Sequence, residues 1–167
     1  MKEQRKDLQK LTRMAIFIAL SLVMRQLFSF WGNVQPITAL FMVLVVSFGL
    51  LEGILVMALS MLLSSFLLGF GIWVPFQIIS FSLILLLWHQ FFPLIKKWPL
   101  IQAFLAGSLS FLYGIVIDSF FTIIYGMPWW TYVAAGITFN LAHAYATVLF
   151  YPLINLIFRR IFRETYF

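Results

Sequence analysis

The sequence predicts an all-α protein, a polytopic bundle of six transmembrane helices with both termini in the cytoplasm. Three observations lead there. Of the 167 residues, 63% are hydrophobic and only 10% are charged, with a mean hydropathy of +1.04. A water-soluble domain of this size could not cover so much apolar surface with so few charges. The apolar runs show no period of two, which excludes the strands of a membrane barrel. The basic residues are segregated. Lys2, Arg5, Lys6, Lys10 and Arg13 precede the first run, Lys96 and Lys97 lie between the fourth and fifth, and Arg159, Arg160 and Arg163 follow the last. Six spans put all three groups on one side, as the positive-inside rule requires, whereas five or seven would split the termini. The net charge of +6 is thereby read as membrane topology, not as a nucleic-acid surface. The chain divides into a basic cytoplasmic segment, 1–13, a membrane domain, 14–158, and a basic cytoplasmic tail, 159–167.

The first helix is expected from Met14 to Phe30. Arg25 follows its apolar stretch where a small-residue cleavage pattern would stand in a secretory leader, so an integral span is expected. The second helix is placed from Pro36 to Leu51 and the third from Gly53 to Gly69, joined by "GLLEG", an inside turn carrying Glu52. The fourth is placed from Val74 to Phe92, with His89 at its cytoplasmic end. The fifth runs from Leu100 to Tyr125 and the sixth from Trp130 to Phe158. At ~1.5 Å per residue, a 17-residue helix reaches roughly 26 Å, slightly less than a ~30 Å hydrocarbon core, so the first four are expected to be short or partly re-entrant. The last two are long enough to cross at a tilt.

All three outside links, "FWGNVQP", "GFGIWVP" and "GMPWW", combine Gly, Pro and Trp. An aromatic belt at headgroup level accounts for any one Trp. The set also carries polar side chains: Asn33 and Gln35 in the first link, Gln77 just after the second, and Thr131 just after the third. Within the spans, Arg25 and Asp118 both lie toward the outside, where they could pair across helices as a structural or site ion pair. Asn140 and His143 share a face of the sixth helix one turn apart. Aromatic walls with a few directed polar groups suit an organic ligand with rings and amide or hydroxyl groups. An ion pore would want repeated charges or carbonyl rings.

Small-xxx-small pairs occur at Ala15–Ala19, Ala103–Gly107, Ser110–Gly114 and Ala142–Ala146, and such pairs let helix backbones approach closely. Internal packing is expected for those on the fifth and sixth helices, and a docking surface is open to the first. No phosphate-binding loop G-x-x-x-x-G-K-[ST], no H-E-x-x-H and no G-x-S-x-G occurs, so no ATPase, metal centre, cofactor or catalytic residue is expected. The absence of cysteine removes disulfides and thiolate ligands.

The whole chain resembles the substrate-binding S components of energy-coupling factor (ECF) vitamin transporters. The resemblance rests on "AIFIA" at residues 15–19, on "NVQPITAL", and on the small-residue helix that ends near "GFGIWVPFQ". The two loop motifs are similar to the branch assigned to cobalamin and related corrinoids. It implies a subunit that captures a vitamin from outside and delivers it inward, in partnership with a membrane coupling subunit and two ATPase subunits in the plasma membrane. Trp31, Asn33, Gln35, Trp73, Gln77, Trp129, Trp130, Asn140 and His143 are then expected to line the site, and Ala15 and Ala19 to dock the partner. Alternatives are another vitamin or precursor, such as a thiamin-like pyrimidine or queuosine, a small intramembrane enzyme using Asp118 and His143, or an assembly factor without a ligand.

Overall fold

The computed structural model describes residues 2–162, and among them every regular element is helical. Helix α1 spans Lys2–Leu27, α2 Ile37–Phe48, α3 Leu50–Leu68, α4 Trp73–Ile95, α5 Pro99–Tyr125 and α6 Trp129–Ile161, with a 3-10 turn at Ser29–Trp31 after α1. Four of them, α3 to α6, are long and apolar enough to cross a membrane. Arg163, expected in the cytoplasmic tail, lies outside the described residues.

Helix α2 is different. Its 12 residues extend about 18 Å, short of a bilayer core. Its sequence, ITALFMVLVVSF, is apolar on every side, and such a helix belongs in an interior. Every residue from Ile37 to Val45 is buried, and α2 touches each of the other five helices. The buried Trp88 of α4 fastens to it by donating its indole N–H to the Met42 carbonyl at 3.0 Å. Phe41 of α2 meets Phe81 of α4 edge-on at 5.8 Å.

The turn after α2 falls earlier than the sequence predicts. Gly49 alone separates α2 from α3, with φ 96°, a conformation that side chains with a Cβ rarely adopt. Leu51 and Glu52 therefore belong to α3. The second glycine of "GLLEG", Gly53, lies inside that helix. A Cβ there would come within 3.1 Å of the Val45 backbone, so Gly53 serves close packing.

Glu52 is buried in the first turn of α3 and accepts two hydrogen bonds from Arg13 of α1, at 2.7 and 2.8 Å. The Arg13 guanidinium also lies 4.1 Å over the Phe48 ring. A forked pair of this kind fixes orientation as well as distance. Glu52→Gln keeps the shape but removes the charge and one acceptor. It is expected to destabilise the α1–α3 contact by about 2 kcal/mol, read as a lowered melting temperature of the purified chain.

Helices α5 and α6 form an antiparallel hairpin built on small residues. Ala103, Ala106, Gly107, Ser110 and Gly114 are buried, and Ser110 and Thr147 share a hydrogen bond of 2.8 Å across the seam. Of the four small-xxx-small pairs, those on α5 thus face inward. Ala15 and Ala19 of α1 are exposed, while Met14, Phe17 and Ser21 of the same helix are buried.

Candidate functional site

Successive links fall at alternate ends of the bundle. The α1–α2, α3–α4 and α5–α6 links share one end, and beneath them lies a cavity of about 400 Å³. Three polar walls and a set of aromatic rings enclose it.

The first wall is the link after α1. Gly32 and Asn33 both have positive φ, 46° and 64°, which turns the chain back over the cavity; Asn is among the few residues with a Cβ that tolerate this. The turn is then locked. Asn33 donates its amide to the Phe139 carbonyl at 2.9 Å, and its amide oxygen is 2.9 Å from His143 Nδ1. Because that oxygen can only accept, Nδ1 must carry the proton. Nε2, 2.7 Å from Thr38 Oγ1, therefore accepts from the Thr38 hydroxyl in the neutral ring. Both ring nitrogens are engaged, so His143 ties the link to α2 and α6 and stacks against Tyr113 at 5.4 Å.

The second wall is cationic. Arg25 reaches from the last turn of α1 across to α3 and α4. It donates to Ser64 Oγ at 2.6 Å and Gln77 Oε1 at 3.5 Å, and touches the Met61 sulfur at 3.2 Å. Its Nε is buried with no partner, while the residue as a whole is part of the cavity lining.

The third wall is acidic and depends on two glycines. Asn140 of α6 donates to Asp118 Oδ2 of α5 at 2.7 Å. A Cβ on Gly114 would overlap the Asn140 amide, and one on Gly136 would overlap the Asp118 carboxylate. Each polar residue thus sits in the gap left by a glycine on the facing helix. Gly114 is one turn before Asp118, and Gly136 one turn before Asn140, so the antiparallel helices exchange side chains symmetrically. Much of the remaining surface is aromatic: Phe81 stacks on Tyr113 at 4.1 Å, and Trp73, Phe121, Tyr132 and Phe139 join them, with Ile37 and Ile117 among them.

Of the residues the sequence singled out, Asn33, Gln35, Trp73, Gln77, Asn140 and His143 line this one cavity, as do Arg25 and Asp118. The expected pairing of Arg25 with Asp118 does not occur. Each has closer partners, Ser64 and Asn140, and they occupy separate walls of the cavity. The expectation that all the outer tryptophans converge also needs correction, since Trp31, Trp129 and Trp130 are not in the lining. Trp31 closes the 3-10 turn and is 67% exposed; Trp130 is 78% exposed. Trp129 donates its indole N–H to Ser119 Oγ at 2.9 Å and meets Trp130 edge-on. These three have the outward placement of a headgroup-level belt.

Sequence reasoning missed Tyr132, Phe139, Phe121 and Ser64. Helical spacing held a signal for two of them: Tyr132, Gly136, Asn140 and His143 recur on one face of α6, and Phe121 is one turn beyond Asp118 on α5. Nothing in the sequence marks Ser64 as the anchor of Arg25.

A family model described as "ECF transporter, substrate-specific component" matches residues 9–155, which cover α1 from its second turn and most of α6. No curated protein and no solved structure matches the chain.

Proposed function

Since the chain belongs to the family of ECF transporter substrate-specific components, we propose that it captures a vitamin or vitamin precursor in the cavity beneath the three outer links. In this reading all six helices belong to the membrane domain, both termini are cytoplasmic, and the cavity opens outward. The basic clusters at the opposite end of the bundle support that orientation. Delivery inward is driven by a membrane coupling subunit, which docks on the exposed Ala15–Ala19 line of α1, together with two ATPase subunits.

The single observation that carries the reading is the cavity itself: stacked aromatic rings, an arginine in the lining, and an amide-held carboxylate on a separate wall. Trp73 and Tyr132 cover the faces of a planar ring, Arg25 meets an acceptor or anionic group, and Asp118 with Asn140 meets a donor. Ligand pockets run from ~300 to ~1,000 Å³, and about 400 Å³ is at the small end. That volume favours a compact, ring-bearing vitamin or precursor of the thiamin-pyrimidine or queuosine class. The second reading, cobalamin or a related corrinoid, is supported by the resemblance of "NVQPITAL" and "GFGIWVPFQ" to that branch. A corrinoid would insert only an edge and its amide arms.

A thermal-shift panel of vitamins on the purified chain tests this, because a ligand that binds only the folded form raises the melting temperature. One vitamin class is expected to stabilise strongly, without turnover. Trp73→Ala is expected to weaken its binding about tenfold, the size of one lost aromatic contact, whereas Trp31→Ala and Trp130→Ala leave it unchanged. A panel without any shift overturns the proposal. Turnover of a lipid or peptide that is lost in Asp118→Ala would replace it with the intramembrane enzyme.

A further inference from the structure

At the end of the bundle opposite the vitamin cavity lies a second pocket, of about 520 Å³. Its walls are apolar, from Val45 and Val46 of α2 and Phe92 and Pro93 of α4, and its rim carries Lys96, Lys97, Arg159 and His89. We propose that this pocket holds an anionic phospholipid, with the phosphate of the headgroup on the basic rim and the start of an acyl chain against the apolar wall.

Three features support a built site rather than a solvated run of charge. First, among the described residues no acidic side chain lines the pocket and neither lysine forms an ion pair with a carboxylate. Two lysines at headgroup depth then present uncompensated positive charge to a surface of phosphates. Second, the turn that carries them is held from behind. The fully buried Gln102 of α5 donates its amide to the carbonyls of Lys96, at 2.8 Å, and Ile95, at 3.2 Å, closing the C-terminus of α4. Its own oxygen accepts from the Tyr151 hydroxyl at 3.1 Å and the Asn155 amide at 3.5 Å, and Asn155 in turn accepts from Arg159 Nε at 3.4 Å. One buried chain of hydrogen bonds thus sets both the lysine turn and Arg159 around the same opening. Third, the ligand must be amphipathic. A free anion would use the rim and leave Val46, Phe92 and Pro93 uncovered, whereas a phospholipid matches both.

The test uses the full-length chain, stripped of lipid in detergent, with native mass spectrometry to count bound lipid. Phosphatidylglycerol is expected to bind at least tenfold more tightly than phosphatidylcholine of the same chains, and inorganic phosphate at matched concentration is expected not to displace it. Lys96→Gln/Lys97→Gln is expected to bring the two lipids to equal affinity. Lys6→Gln/Lys10→Gln removes the same charge away from the pocket and is expected to keep the preference. Equal binding of both lipids by the unaltered chain overturns the proposal. So does an undiminished preference in the Lys96→Gln/Lys97→Gln chain, and if that chain instead fails to assemble with the coupling module, the rim is a partner contact. Displacement by phosphate alone would show a simple anion site.

Discussion

Replacing Gly114 with alanine is expected to lower vitamin affinity about a hundredfold while leaving a folded, membrane-inserted chain. The added Cβ would occupy the space that the Asn140 amide fills. Asn140 must then swing away, and Asp118 loses the donor it holds at 2.7 Å. The carboxylate that faces the cavity is left without its positioning partner, and the hydrogen-bonding wall of the site moves. A hundredfold corresponds to about 2.7 kcal/mol, in the range for a lost hydrogen bond to a charged group. Two comparisons separate this from general damage. Gly107, on the same seam, would press its Cβ against the Val148 side chain and come 3.1 Å from the Ala144 carbonyl, away from the cavity. Gly107→Ala is expected to cost about 1–3 kcal/mol of stability by overpacking, yet bind normally. In an Asn140→Ala chain, Gly114→Ala should have no further effect on affinity, because the group it displaces is already gone. Titration with the vitamin identified by the panel measures all four chains. Normal binding by Gly114→Ala, or an equal loss in the Asn140→Ala background, would mean that the glycine does not act through Asn140.

That glycine also shows where the sequence was legible and where it was not. Hydropathy and charge placement found all six helices, because apolar runs and lysine clusters are averages over many residues, but they started α1 at Met14 where the helix begins at Lys2, since its charged first turns carry no apolar signal. They failed at Gly49. Two glycines flank "LLE", and only the backbone shows that Gly49 turns the chain while Gly53 packs against Val45. The polar residues inside spans were legible because their burial needs partners, and Arg25, Asp118, Asn140 and His143 do face one cavity. Their partners were not legible. Opposite charges at matching depth suggested an Arg25–Asp118 pair, yet Ser64 and Asn140 are nearer, and which neighbour wins depends on helix rotation, which periodicity does not supply in helices apolar on all sides. The tryptophans misled for a related reason. A link rich in Trp is compatible with a belt and with a site roof, and only Trp73, at the start of α4, points into the cavity.

Placing a bulky ring on the outer face of α1 is expected to stop transport without touching capture. Ala15 and Ala19 are one turn apart and exposed, on a helix whose other face buries Met14, Phe17 and Ser21. A side chain added there projects away from the bundle, so Ala19→Trp should not disturb the α1–α3 contact, the Arg13–Glu52 pair, or the cavity nearer the far end of α1. It would hold a second helix away. Small residues stabilise helix contacts in lipid by allowing backbones to approach, and an indole in that seam prevents the approach altogether. The loss should therefore be nearly complete rather than graded: vitamin uptake by cells expressing Ala19→Trp with the coupling module falls to background, and the module no longer co-purifies. Affinity of the isolated chain stays within a factor of about two, since surface substitutions away from a site seldom exceed ~0.5 kcal/mol. Ala19→Ser, which keeps the residue small, should transport normally. Gly114→Ala predicts the opposite pattern, assembly without capture. If Ala19→Trp also loses vitamin binding, the exposed line of α1 is part of the fold or of the site, and the coupling subunit must dock elsewhere on the bundle.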